Sequence, residues 1–506
     1  MGFKQKIKTL FSSAVFMPAG LMVLGLVLSI WDIDGESLWQ DELYTAKTAA
    51  YTISGILENS MHKDLNPPLY YLILHFWIKV FGCTETALRF PSTVFSVITI
   101  GLVYYLGTMF WAGRAGLYAG LLTAISSYLL PYAQEARCYS LLAMLGVLSM
   151  IGLWKMIYNY SSRWFWIYTI VSVLMLYCHS YAMFHLFAQV VFVGSLYYLD
   201  RQHFRFFYRR GILSWLITGL LYLPWFIITL LQFFRIQERP TFLKTPTWID
   251  IPWVIKVFSA DSTKFGLFLL ALCCFWFLTL FPRSDDDGGR RRRFDLTEWN
   301  KAWFLGVWIL CTVIPPFILS LISSPIFSIR YMVSCTAAFY LLVGRGLMNV
   351  PSVLFQFAAT GVVLLVFGYE NHLWFSLVQR EQWRQSIAYV DTHATQGELL
   401  FFQAPGYRKL AYPYYGTRAD LILSGFPPTV DSLHLTPEVV AKAIPPLVGS
   451  HESLWLILTD ETDKQEYLRS WLQQQYQSVE HREFGYYLDV YHYQNRKSER
   501  EEERID

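Results

Sequence analysis

The chain has 506 residues, of which 54% are hydrophobic, 18% aromatic and only 16% charged. A soluble domain carries about 25% charged residues, so this composition excludes the soluble globular class and points to a membrane protein. The formal net charge of +3 favours no class of partner, and the placement of the charges carries the information instead.

Lys4, Lys6 and Lys8 precede an apolar run from Ala14 to Trp31. The run has no small-residue cleavage site and is long enough to span, so a retained first helix is expected. Further runs of about 17–25 apolar residues fall at 89–111, 116–133, 140–157, 164–181, 183–199, 212–233, 264–281, 302–323, 331–349 and 352–369, which predicts eleven spans in all. Basic connections fall at alternate turns: the N-terminus, Arg114, Arg163, Arg201–Arg210 and Arg290–Arg293. They mark the cytoplasmic side. The arginine run therefore reads as a topology anchor, and no nucleic-acid partner is expected.

The apolar segment Leu69–Phe81 is short, and counting it as a span would place the basic loops outside. It is therefore expected to lie in the outer interface as an amphipathic helix. Asn66 is its predicted N-cap, and Pro67 and Pro68 open its first turn. This assignment puts the loop 32–88, the turn Tyr132–Tyr139, the junction at His179, the loop from about 234 to 264 and the connection Ser323–Arg330 on the extracytoplasmic face.

Beyond about residue 372 the hydrophobic runs shorten and charge rises. Glu381–Val390 and Lys464–Gln475 read as helices; Glu398–Phe402, Leu454–Leu458 and Tyr486–Tyr493 read as strands. The predicted organisation is a transmembrane domain over 1–371, a small extracytoplasmic α/β domain over 372–495 and a charged tail over 496–506. In class this is an α-helical polytopic membrane protein with about eleven transmembrane helices, interfacial helices and a small α/β domain. Seven cysteines without metal-site spacing read as buried free thiols, with Cys83–Cys138 as the one candidate disulfide.

Four stretches and one histidine can carry chemistry. In Trp39-Gln40-Asp41-Glu42-Leu43-Tyr44 two adjacent acids repel, and partial burial raises the pKa of at least one. That suits a general base, worth roughly 10²–10⁴ in rate; the plainer reading is a solvated pair capping a helix. Lys63, Asp64, Asn66 and Tyr70 either start the interfacial helix or line a cavity. In Gln134-Glu135-Ala136-Arg137-Cys138-Tyr139, Glu135 and Arg137 either pair at the interface or supply a second carboxylate with its orienting arginine. Arg330, next to Tyr331, stands against the positive-inside bias, either as a snorkelling anchor or as a bidentate phosphate ligand. His179 reads more readily as a structural histidine than as a catalytic one.

Together these stretches resemble the membrane glycosyltransferases of the GT-C fold, in the bacterial branch related to protein O-mannosyltransferases and to the aminoarabinose transferases that modify lipid A. The resemblance covers about residues 15–370. It rests on Trp39–Tyr44, on Asn66-Pro67-Pro68, on Phe81-Gly82 followed by Ala87-Leu88-Arg89-Phe90-Pro91, on Gln134–Tyr139 and on Arg330-Tyr331, taken in their order and spacing. It implies a hexosyl- or pentosyltransferase with a polyprenyl-phosphate-linked sugar as donor, and an acceptor hydroxyl on a protein, lipid or glycan. Transfer is expected on the extracytoplasmic face among membrane lipids, with Asp41 as base. Glu42 remains the competing base, and Lys63, Asp64, Asn66, Tyr70, Gln134, Glu135, Arg137, Tyr139, His179, Arg330 and Tyr331 are the candidate donor or acceptor contacts. No cofactor is required; a divalent metal between the carboxylates is chemically admissible, and no spacing implies one. The competing class is a transporter or flippase of a lipid-linked sugar, which needs a polar midplane and an internal repeat.

Overall fold

A bilayer offers backbone groups no water, so apolar runs must pair their own N–H and C=O groups as helices. The computed structural model describes residues 13–495 except 112, 160–161, 200, 238–242, 280–295, 404, 427–435, 450, 460–465 and 486–487. Helix α1 (Ser13–Ile30) leads into α2 (Gln40–Ala49), α3 (Ile53–His62) and α4 (Leu69–Phe81). Next come α5 (Glu85–Trp111), α6 (Gly113–Ile125), α7 (Leu130–Ala133), α8 (Tyr139–Asn159), α9 (Ser162–Cys178), α10 (Ala182–Leu199) and α11 (Arg201–Gln237). The helical part closes with α12 (Asp250–Phe258), α13 (Thr263–Thr279), α14 (Leu296–Ile322), a 3-10 turn over Ile329–Met332, α15 (Val333–Asn349) and α16 (Val353–Ser376).

Seven of these helices are long and apolar enough to cross a membrane: α5, α8, α10, α11, α14, α15 with its leading turn, and α16. Each coincides with a predicted span. The other four expected spans differ. The runs 14–31 and 164–181 form shorter apolar helices, Phe16–Ile30 and Ser162–Cys178. The run 116–133 breaks after Ile125, and Pro131 opens the one-turn α7. The run 264–281 belongs to a pair, α12 with Thr263–Cys274, bent by 83°. By length and composition the described residues thus hold seven helices able to span, or eight with the bent pair, beside the shorter apolar helices. The N-terminal lysines, the run Arg290–Arg293 and the tail 496–506 lie outside the described residues.

The chain divides into two compact units, Met1–Ile33 with Thr48–Leu373, and Asp34–Lys47 with Trp374–Asp506. Residues 34–47 were expected with the transmembrane part and instead group with the C-terminal part.

In the first unit α5 and α6 approach closely at Gly107 and Gly116: a Cβ at Gly107 would meet the Gly116 Cα at 2.8 Å. Small residues permit such backbone contact between membrane helices. A buried polar line ties α8, α9, α10 and α11. Trp215 donates to the Tyr168 hydroxyl (2.8 Å), Tyr168 to Gln189 (2.7 Å) and Gln189 to Ser149 (2.9 Å), with His185 3.2 Å from Ser149. Helix α4 does begin after the two prolines, but Asn66 is not its cap. Pro68 holds the N-cap position, and the Asn66 amide donates to Asp64 instead (3.1 Å). Gly82, at φ 79°, ends α4 in a conformation that side chains with a Cβ avoid. All seven cysteines are free, so Cys83 and Cys138 form no disulfide.

The second unit contains α17 (Trp383–His393), β1 (Leu399–Gln403), α18 (Pro405–Tyr415), β2 (Ile422–Phe426), α19 (Pro437–Ala443) and α20 (Pro445–Val448). It continues with β3 (Ser453–Thr459), α21 (Tyr467–Gln475), β4 (Tyr476–Glu483) and β5 (Leu488–Asn495). The strands form one sheet in the order β2-β1-β3-β5-β4. The pairs β1–β2 and β1–β3 are parallel, whereas β3–β5 and β5–β4 are antiparallel. Leu399, Phe401, Leu454, Leu456 and Leu458 share a core with Val440, Ile444, Leu468 and Leu472 of the helices. The predicted helices and strands here are present over their described residues; β2, β4, α18, α19 and α20 were not foreseen.

Glu398 closes this sheet with charge. It accepts hydrogen bonds from the Trp455 indole (2.9 Å) and the Thr395 amide (2.7 Å), and lies 3.7 Å from His492. Burial alone raises its pKa, but hydrogen bonds from His492, Ser453, Trp455 and Thr395 outweigh that and pull it from 4.5 down to about 2. A depressed carboxylate stabilises the fold above its ordinary pKa, and the contribution is lost as pH falls through about 2. We expect Glu398→Gln to lower thermal stability at neutral pH and to flatten its decline between pH 4.5 and 2. An unchanged acid limb in melting scans of the two proteins would remove this role.

Candidate functional site

In the first unit the candidate residues sort into a structural set and a clustered set. Asp64 organises the loop before α4: one carboxylate oxygen accepts from the Leu65 amide (2.7 Å) and the Asn66 amide (3.1 Å), and the other accepts from the Tyr71 hydroxyl. Burial, then the Asp64 charge, raises the pKa of Tyr71. Gln232 of α11 grips the same loop through the carbonyls of Ser60 (2.8 Å), Met61 (3.3 Å) and Asp64 (2.7 Å). Tyr70 is buried, 2.9 Å from the Ser92 hydroxyl, which donates to the Arg137 carbonyl (3.1 Å). Lys63 is exposed at the C-cap of α3.

Gln134 sends its amide to the carbonyls of Trp31 (2.7 Å) and Ser29 (3.3 Å), closing the C-terminal end of α1. Removing that donor orphans two carbonyls, a loss of about 1–3 kcal/mol. Gln134→Ala should therefore lower the melting temperature of the purified protein; unchanged melting would show the clamp to be dispensable. Arg89, which entered the sequence reading only as part of the resemblance and with no role, is buried in α5 and donates to the Ile33 carbonyl at 2.7 Å.

Glu135, Arg137, Tyr139, His179, Arg330 and Tyr331 come together around a set of rings packed edge-on and tilted. Tyr132 lies 5.2 Å from Tyr139, and Tyr331 lies 4.6 Å from His179 and 5.1 Å from Tyr181, centroid to centroid. Arg137 stands 5.9 Å from the Tyr139 ring. The hydroxyl of Tyr132 is pushed up first by burial and then by the Glu135 carboxylate, while Arg330 opposes. Both charges therefore act on this one tyrosine. His179 is held down at about 3, first by burial and then by Arg137. Its Nδ1 accepts the Tyr181 amide at 3.1 Å, so the neutral ring carries its proton on Nε2. It is a fixed donor and carries no charge at physiological pH.

In the second unit the acid pair divides. Trp39 precedes α2, and Glu42 reaches back to the Trp39 amide (3.4 Å), the carboxylate half of a capping box. The same Glu42 oxygen is 2.9 Å from Arg380, and Glu42 is fully buried. Asp41 is half-buried in the first turn of α2, and its carbonyl accepts from the Thr45 hydroxyl (2.8 Å). An acid there is favoured by the helix dipole. Glu42 is therefore committed to an ion pair with Arg380. Arg380 stands 338 positions from Glu42, so no local pattern pointed to it. His481, Glu483 and Asp489 bring possible ligand atoms within 4.8 Å of one another on β4 and β5, at the protein surface.

Residues 65–231 match the family described as dolichyl-phosphate-mannose-protein mannosyltransferase. No curated protein matches the chain in sequence. Among solved structures, ArnT from Cupriavidus metallidurans in the apo state is similar with a TM-score of 0.56 at 13% identity, over 95% of this chain and 98% of that one. The same protein bound to undecaprenyl phosphate gives 0.55 at 13% identity, over 94% and 97%. The archaeal oligosaccharyltransferase AglB from Archaeoglobus fulgidus, in complex with an inhibitory peptide and a dolichol-phosphate, gives 0.49 at 13% identity, over 90% and 71%. The chain thus carries the GT-C fold of ArnT along nearly its whole length, and is similar over residues 65–231 to the protein mannosyltransferases.

Proposed function

We propose that the protein moves a sugar from a polyprenyl-phosphate carrier to an acceptor hydroxyl on the extracytoplasmic face, with inversion at the anomeric carbon. The observation that carries this reading is the gathering of Arg137, Arg330 and Glu135 around Tyr132 and Tyr139, where α8 and α15 begin. Guanidinium groups at the ends of membrane helices suit a lipid-borne phosphate. The match to a mannosyltransferase family and the fold shared with an ArnT that binds undecaprenyl phosphate support the same donor class.

The acceptor oxygen attacks the anomeric carbon as its proton passes to Asp41. The bond from that carbon to the carrier phosphate breaks, and the phosphate leaves as an anion that needs no proton and is held by Arg330. Tyr139, Tyr331 and the neutral His179 supply rings and a donor for the sugar. Lys63 is retained as an exposed cation toward the carrier, whereas Asp64, Asn66, Tyr70 and Gln134 act through the loops and helices they hold. The base and the phosphate ligand make the interactions that strengthen toward the transition state.

The test is transfer of radiolabelled sugar from a polyprenyl-phosphate donor in reconstituted vesicles, with protein, lipid and glycan acceptors supplied in turn. Among the described residues, the line through Trp215, Tyr168, Gln189, Ser149 and His185 is a feature that speaks for transport, yet its groups bond one another across helices, as packing requires. Labelled carrier crossing the bilayer with no glycosidic product would favour that reading. The alternating basic loops also fix an expected topology: a cysteine engineered at position 450 should label from outside and one at 290 should not. Labelling at 290 alone would invert the orientation.

A further inference from the structure

The segment that carries Asp41 is held along its length by the C-terminal part of the chain. Arg384 donates through both terminal nitrogens to the Asp34 carbonyl (3.1 Å each) and through one of them to the Gly35 carbonyl (3.0 Å). Its backbone amide donates to the Ser37 hydroxyl (3.0 Å), which in turn donates to Gln385 (3.0 Å). The Gln379 amide donates to Glu36. The Leu38 amide donates to the Tyr415 hydroxyl (2.7 Å), and Lys47 donates to the Lys409 carbonyl (3.3 Å). At the centre Arg380 bridges two acids, Glu42 at 2.9 Å and Glu36 at 3.8 Å, while its guanidinium lies 5.9 Å from the Trp374 ring.

Glu42 is fully buried, and both Arg380 and the Trp39 amide answer its carboxylate, as a buried acid requires. The residue before it, Asp41, takes its direction from the same first turn of α2.

We propose that Arg380 is a positioning residue for Asp41, acting through Glu42, and that the C-terminal sheet unit is a working part of the catalytic machinery. This inference rests on the function proposed above. Arg380 touches neither donor nor acceptor. It sets the first turn of α2, and through it the carboxylate that accepts the proton. Its loss should therefore reduce turnover and leave donor binding alone.

The experiment uses the full chain in vesicles and compares wild type, Arg380→Ala, Arg380→Lys, Asp41→Asn and the double variant Asp41→Asn/Arg380→Ala, with hydrogen exchange followed over 34–47. We expect Arg380→Ala to lower kcat at least about 10-fold with KM for the lipid donor within about 2-fold, and Arg380→Lys to recover part of the loss. The double variant should be no slower than Asp41→Asn, because one residue acts through the other. Exchange over 34–47 should quicken in Arg380→Ala while the strands β1 and β3 keep their protection. Unchanged exchange, a loss confined to KM, or a full additional loss on the Asp41→Asn background would each overturn the proposal. Loosened exchange with full activity would overturn it as well. If the wild type itself transfers no sugar to any acceptor, the proposed function falls, and that outcome is told apart because it precedes every variant.

Discussion

Asp41→Asn should cost at least about 10²-fold in turnover, with donor affinity little changed. Asparagine keeps the size and hydrogen-bonding reach of aspartate and loses only the capacity to take a proton, so the loss reads the base directly. It corresponds to roughly 2.7 kcal/mol of barrier. The structure adds a contrast that the bare Asp41-Glu42 dipeptide does not offer. Glu42 is buried against Arg380, so Glu42→Gln should impair activity together with the order of 34–47, whereas Asp41→Asn should leave that order intact. Single-turnover transfer from labelled donor measures both. An active Asp41→Asn beside a dead but well-ordered Glu42→Gln would move the base by one residue.

The second large effect is expected at Arg330. A lost charged hydrogen bond costs roughly 1.5–3 kcal/mol, or about 10- to 150-fold. Arg330→Ala should lose that much in kcat/KM for the polyprenyl-phosphate sugar. Arg330→Lys should fall between, since it keeps the charge and loses the planar fork. Wild-type kinetics in Arg330→Ala would end the phosphate role and leave the residue as a membrane anchor. Its position in a 3-10 turn that opens a membrane helix is compatible with an anchor, so the kinetic result decides. His179 adds no limb to the pH profile near neutrality, because burial and Arg137 hold it uncharged down to about 3.

Seven spans were legible because an uninterrupted apolar run of sufficient length has few other fates in a chain this poor in charge. The run 116–133 was not, because hydropathy is blind to the break that follows Ile125. Strand β4 escaped notice because it is an edge strand, exposed on nearly every residue, and shows no apolar alternation. Strand β2 carries Gly425 in its short run. At the candidate site, residue type suggested contacts for Asn66, Tyr70 and Gln134 that the structure shows already engaged with neighbouring protein groups. A sequence displays a polar side chain without displaying how many carbonyls await it. The cluster of Glu135, Arg137 and Arg330 was legible as charges placed against expectation. The Glu42–Arg380 pair was not, for nothing local in either stretch names its partner.

The grouping of 34–47 with 374–506 has a consequence for anyone who recombines this chain with a relative. A crossover placed at the apparent join near residue 373 would take the sheet from one parent and its α2 segment from the other. Arg380 and Arg384 would then face foreign residues where Glu42, Glu36 and the Asp34 and Gly35 carbonyls belong. Such hybrids should misassemble even when both parents are sound. Exchanging 34–47 and 374–506 as one cassette, with two cuts rather than one, should restore them.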